Sequence, residues 1–181
     1  MNALLFICVL AIQPILYKMQ TGSFWLYSYG DEHLDFLRPQ IMSVLFSYKK
    51  GLFVYTPLLF VSLVGFYFLL KRNSYRFFCL LGFLTVITYV ISSWEVWWYG
   101  GSFSQRPFID YYAFFGILLA LPLEYMKKGK LIFLFLLVVL TLVCQIQTYQ
   151  YRYYYIHWEN MTKQKYWDVF LRVDKLIQQK K

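Results

Sequence analysis

Five apolar stretches, residues 3–17, 52–70, 77–94, 108–125 and 131–149, dominate the chain and are joined by short polar links or by loops rich in aromatic residues. Each is close to the roughly 20 residues that a helix rising about 1.5 Å per residue needs to cross about 30 Å of hydrocarbon. Backbone N–H and C=O groups find no water at that depth, so segments of this kind have to be helices. The expected architecture is therefore all-α. It is a polytopic membrane bundle of about five transmembrane helices over residues 1–149, followed by an amphipathic tail over 150–181.

The first and fourth stretches are the weakest. The first is short and contains Pro14, and the fourth has Asp110 near its start and Pro122 near its end, features that tilt or kink a span. Pro57 and Pro107 stand early in their stretches, where a missing N–H has no helical partner to lose, and mark helix starts. The opening "MNALLFICVLAIQPILYK" has the apolar core of a signal peptide without its charged leader or a cleavage site, and reads as a retained helix. Its abrupt start is the kind expected of the latter part of something longer.

Charged residues are 15% of the chain, against roughly 25% in ordinary globular proteins. Aromatic residues reach 23%, and such rings favour the boundary between lipid and water. The net charge of +9 sits in short links and in the tail rather than in a groove, so the expected counter-charge is the lipid bilayer and not nucleic acid. Cys8, Cys79 and Cys144 all lie in apolar stretches with no CxxC spacing and read as small hydrophobic residues.

The links "KRNSYR" (71–76) and "KKGK" (127–130) pack six basic residues into little chain, which places them on the cytoplasmic side. Residues 18–51, 95–107 and 150–181 then face outward, although the raw count of positive residues is nearly balanced between the two sides. In the first outer segment, Ile41, Val44, Leu45 and Phe46 predict a short interfacial helix with Pro39 in its first turn. Lys49 and Lys50 follow at headgroup level, where loss of Lys50 is expected to matter little. In the tail, Tyr166, Phe170, Val173 and Ile177 recur at helical spacing, with Asn160 or Thr162 as the N-cap. That helix would dock at the interface, pack on the protein's own outer loops, or bind a partner.

The stretch "WEVWWYGGSFSQRPFID" (94–110) concentrates the chemistry. Trp94, Trp97 and Trp98 lie at a span end, where indoles commonly anchor a protein, yet their flat faces also suit a sugar ring or a lipid-linked headgroup. Gly100 and Gly101 let the backbone pass close to a ligand. Arg106, just before Pro107 at a helix mouth, has a guanidinium able to take a phosphate with two parallel hydrogen bonds. The alternative is an ion pair with Glu95 or Asp110, and the i, i+4 spacing of Arg106 and Asp110 permits contact. Arg106, Trp97, Trp98, Glu95 and Asp110 form the candidate substrate-binding set. The acidic group Asp31, Glu32, His33 and Asp35 lacks metal-ligand spacing and reads as a solvated turn, and His157 beside Trp158 reads as a packed residue. No metal or cofactor is expected, and there is no P-loop, GxSxG, HExxH or dinucleotide fingerprint.

The order "TGSFWLYSYGDEHLDFLRPQIMSVLFSYKKGLFVYTPLL", then "WEVWWYGGSFSQRPFIDYYAFFGILLALP", then "YWDVFL" resembles the C-terminal half of bacterial GT-C membrane glycosyltransferases. That class includes the protein mannosyltransferases and aminoarabinose transferases, and the likeness is greater to members from Bacteroidetes-type bacteria. The segment from Trp94 to Asp110 is its specific part. The resemblance implies an inner-membrane protein handling a sugar carried on a polyprenyl phosphate at the outer face, with Arg106 on the donor phosphate and Trp97 and Trp98 as walls. In such enzymes a carboxylate in an earlier outer loop is the general base and cationic groups stabilise the leaving phosphate. Asp31, Glu32 and Asp35 fall in a later loop, so the base is not carried onto any of them, and no catalytic residue is assigned. The expectation is a glycosyltransferase part that acts with an N-terminal half or a partner. The alternative is a non-catalytic membrane subunit that binds another protein through its outer loops and tail helix. A transporter is disfavoured, because Ser62, Thr85, Thr88 and Thr141 are nearly all that is polar inside the second, third and fifth stretches.

Overall fold

The computed structural model describes residues 2–25, 30 and 32–174. Asp31, the side chain of Cys8 and the tail from residue 175, including Ile177, lie outside the described residues. The chain divides into two units, Met1–His33 and Leu34–Lys181. The first unit is helix α1 (Asn2–Thr21), which carries Pro14 inside it and Lys18 in its last turn. It stops at Gly22, which takes φ +78°, a conformation that costs glycine little.

The second unit is helical. After α2 (Ile41–Phe46), the chain forms α3 (Leu52–Tyr55), α4 (Pro57–Ser62), α5 (Gly65–Arg72) and α6 (Ser74–Ser92), then a 3-10 segment Arg106–Tyr111. That segment runs directly into α7 (Tyr112–Tyr125), which precedes α8 (Lys130–Arg152) and α9 (Lys163–Val169). Three segments are long and apolar enough to cross a membrane among the described residues: Ser74–Ser92, Arg106–Tyr125 and Lys130–Arg152. Phe78, Val86, Leu131, Phe135 and Leu142 are exposed on α6 and α8. Apolar side chains facing outward along whole helices fit lipid rather than water as solvent, consistent with an integral membrane protein.

The stretch 52–70, which reads in sequence as one span, is instead three short helices. Thr56 leaves the helical region (φ −130°, ψ 66°), because a residue preceding proline is pushed out of it, and Pro57 then starts α4. A second step at Leu63 and Val64 brings in α5, whose Gly65 lies flat on α7. A Cβ at Gly65 would stand 2.0 Å from the carbonyl oxygen of Leu118, so only glycine permits this approach.

Val44, Leu52, Leu84, Ile91, Phe108 and Leu118 are buried together in the main core, and Val44 is the inward anchor of α2. The loop before α2 is pinned to the end of α6, where Asp35 and Gln40 donate backbone N–H bonds to Ser93 and Ser92, each at 2.7 Å. Tyr55, Ile156, Met161 and Tyr166 form a second core at the same end. Thr162 caps α9 by accepting from Lys165 N at 3.3 Å, and Tyr166 turns inward. The α-helix ends at Val169, and Leu171 takes φ +55°, so Phe170 and Val173 do not continue the same helical stripe. At the opposite end the Arg72 guanidinium lies 4.2 Å over the Tyr125 ring, which draws the two basic links together.

Candidate functional site

The turn Ser47–Gly51 between α2 and α3 presents Lys49 and Lys50 to the loop that follows α6. Gly51 closes this turn by donating to Ser47 O at 2.7 Å, and any Cβ there would meet the Ser47 backbone at 2.5 Å. The turn directs its two lysines differently. The Lys49 ammonium lies 3.6 Å from the Trp98 ring centre and 6.0 Å from that of Trp97, a cation–π arrangement. One face of Trp98 is therefore covered by Lys49. The two indoles themselves meet edge to face, with centres 5.8 Å apart.

Lys50 is 1% exposed, contrary to the headgroup position its sequence context suggests. Its ammonium donates to the Gly100 carbonyl and, at 3.1 Å, to Ser102 Oγ. The loop curls around it with Tyr99, Gly100 and Ser104 all at positive φ (49°, 64° and 52°). Tyr99 and Ser104 are not glycines, and such conformations persist only where the surroundings impose them. Tyr99 is held because its hydroxyl donates to Ile91 O at 2.8 Å. Burial, then the charges of Lys49 and Arg106, lowers the Lys50 ammonium from its ordinary 10.5 to about 8.

Arg106 opens the 3-10 segment and is exposed, as are Asp110 and Glu95. Among the described residues no ion pair joins Arg106 to Asp110 or to Glu95. The i, i+4 spacing presumes an α-helix, but a 3-10 helix turns once every 3.0 residues, which rotates position i+4 about 120° away from position i. Lys49, Lys50 and Arg106 thus form a cationic group, and among the described residues no acid lies within ion-pair distance of any of them.

Two neighbouring side chains are without hydrogen-bond partners among the described residues. Gln105 is fully buried and both its amide atoms are unpartnered, and the Ser104 hydroxyl beside it is buried and likewise unpartnered. Trp158 borders the same loop, since a Cβ on Gly101 would lie 3.9 Å from its ring. Lys50, Ser104, Gln105 and Trp158 are absent from the set expected from sequence. Ser104 and Gln105 had one local signal, proximity to the glycine pair, and Lys50 and Trp158 had none.

Between α2, α3, α5, α6 and α7 lies a partly open cavity of about 550 Å³, within the roughly 300–1,000 Å³ of ligand pockets. It is lined by apolar side chains, among them Leu45, Leu52, Phe66, Leu84, Phe108 and Phe115. Leu52 and Phe108 follow Lys50 and Arg106 by two residues each, so the same two chain segments supply a cationic end and an apolar wall. The hydroxyls of Thr85 and Thr88, also on the wall, donate to carbonyls of their own helix at 2.8 and 2.7 Å. Their hydroxyl hydrogens are thus committed to the helix, which leaves only acceptor lone pairs at the wall.

The other sequence candidates have local roles. Asp35 Oδ1 accepts from the N–H groups of Leu37 and Arg38 at 3.0 and 3.2 Å and so closes a turn. His157 Nδ1 accepts from the N–H groups of Glu159 and Asn160, and its ring stacks on Trp158. Cys79 and Cys144 are free thiols. No protein-family model, curated protein or solved structure matches the chain.

Proposed function

We propose that this chain is the carrier-binding part of a GT-C-like membrane glycosyltransferase, gripping the phosphate of a polyprenyl-phosphate-linked sugar at the outer face of a bacterial inner membrane. The observation that carries this reading is the buried Lys50, grouped with Lys49 and Arg106, with Leu52 and Phe108 two residues further along each segment on the wall of an apolar cavity. A buried cation without an opposite charge is costly, and an anion offsets that cost. A phosphate bearing an isoprenoid chain matches both halves, since the phosphate takes charge-assisted hydrogen bonds and the chain takes apolar surface.

The membrane frame that goes with this has five crossings. Helix α1 and the interrupted α3–α5 stretch join the three long spans, while α2 and α9 lie at the interface. Broken helices at membrane depth are tolerated where they are buried in protein or line a cavity, and residues of α3 to α5 line this one. The general base of the transfer comes from an N-terminal half or a partner protein.

The test is binding of farnesyl phosphate to the protein in lipid nanodiscs, read by native mass spectrometry. A hydrogen bond to a charged group contributes about 1.5–3 kcal/mol, so Arg106→Ala and Lys50→Met should each weaken binding roughly ten- to hundredfold. Lys127→Ala, at the other end of the spans, should leave it unchanged. Equal binding by the wild type and both site variants would overturn the proposal.

A further inference from the structure

Gln105 has an amide with one acceptor and two donor hydrogens, and among the described residues none is used. Because both amide atoms are unpartnered, exchanging oxygen and nitrogen changes nothing. The other buried glutamines differ: Gln147 Nε2 donates to the Tyr166 hydroxyl at 2.9 Å and Gln150 Nε2 donates to the Val169 carbonyl. Buried polar groups are nearly always hydrogen-bonded, so an amide with none, beside an unpartnered serine hydroxyl, calls for a partner beyond the described residues, which a bound ligand can supply.

The chemistry of that partner follows from the groups. Lys49, Lys50 and Arg106 can only donate, which suits an oxyanion. The amide and the serine hydroxyl both donate and accept, which suits a ligand hydroxyl and wastes half their capacity on a phosphate oxygen. Ser102, which holds Lys50, is three residues from Gln105, so their Cα atoms lie no more than about 11 Å apart. The positive-φ residues Tyr99, Gly100 and Ser104 lie in the stretch that would have to yield for a ligand to reach the amide.

We propose that Gln105, with Ser104, holds a hydroxyl of the ligand's sugar beside the cationic group, so that the site selects a glycosylated lipid phosphate over the bare lipid phosphate. This rests on the carrier-phosphate reading above and adds the part of the ligand that decides specificity.

The experiment compares farnesyl phosphate with its glucose, mannose and N-acetylglucosamine esters, for the wild type and Gln105→Leu in nanodiscs. In the wild type at least one ester should bind tighter than farnesyl phosphate by about tenfold, the scale of one net hydrogen bond. In Gln105→Leu that preference should vanish while farnesyl phosphate binds as before. The ligand-free variant should also melt no lower than the wild type, because leucine removes unpartnered polar atoms. A lowered melting temperature with unchanged ester preference would assign the amide to internal water and overturn the proposal. Ester binding equal to that of farnesyl phosphate in the wild type overturns it too, while leaving the carrier reading intact. Absence of all farnesyl binding removes both. Phosphatidylglycerol also joins a phosphate to hydroxyls, and its displacement of the esters at equal strength would reassign the site to a membrane phospholipid.

Discussion

Lys50 is where residue type and residue role part company. In sequence it is the second of two lysines before a span, the ordinary pattern of a headgroup contact. Its inward turn depends on a loop fifty residues away adopting positive φ at Tyr99 and Ser104, for which non-glycine residues carry no local signal. The tryptophans and Arg106 were legible because their types are rare and they cluster. The lack of an Arg106–Asp110 ion pair among the described residues was not, because 3-10 winding cannot be told from α-helical winding by spacing.

A lysine lowered to about 8 has a definite effect on stability. Between about 8 and 10.5 the unfolded chain keeps a proton that the folded chain has released, so resistance to unfolding rises with pH. Above about 10 the opposite sets in, because burial pushes the Tyr99 and Tyr166 phenols up to about 12 and the unfolded chain then loses protons first. Thermal unfolding in detergent should show a melting temperature that climbs from about pH 8 and turns over near pH 10. Lys50→Met should abolish the climb and keep the fall. Farnesyl phosphate affinity should decline as pH rises through about 8, where the ammonium loses its charge.

Among the elements, α6 and α8 were readable to within about three residues at their ends, because their long apolar runs leave few other choices. Of the two caps that the local sequence offered, Asn160 and Thr162, it is Thr162 that caps α9. The division of the second apolar stretch was half-visible in Pro57. The step at Gly65 was not, since what selects glycine there is the Leu118 backbone on another helix. Gly65→Ala should therefore destabilise by about 1–3 kcal/mol or more, the usual range for overpacking, whereas Gly82→Ala, with open space around its Cβ, should be nearly neutral. A melting series on the two variants checks this. On α9, Tyr166 accepts from Gln147 Nε2 and donates to Val54 O at 3.3 Å. Tyr166→Phe strands the glutamine donor and should cost about 1–3 kcal/mol, measured the same way.

As a whole, the second unit has two ends of different character. Lys50, the loop 99–105 and Tyr151 meet at one, where Phe103 and Tyr151 rings are 5.5 Å apart, and the basic links meet at the other through Arg72 and Tyr125. The three long apolar helices were legible from hydropathy, while the chemical difference between the ends depends on contacts between distant segments. Membrane-impermeant maleimide should label a cysteine placed at the exposed Tyr154 in intact cells, and one at Lys128 only after lysis. The reverse pattern would invert the orientation.

Of the protein's six tryptophans, five (Trp94, Trp97, Trp98, Trp158 and Trp167) belong to the second unit; Trp97 and Trp98 lie by Lys49 and Trp158 by Gly101, whereas neither basic link contains any. In the proposed membrane frame, indole in the second unit thus reports from one side of the bilayer. Its emission can follow events around Lys50 with no dye attached, and brominated acyl chains confined to a single leaflet should dim it from that leaflet alone.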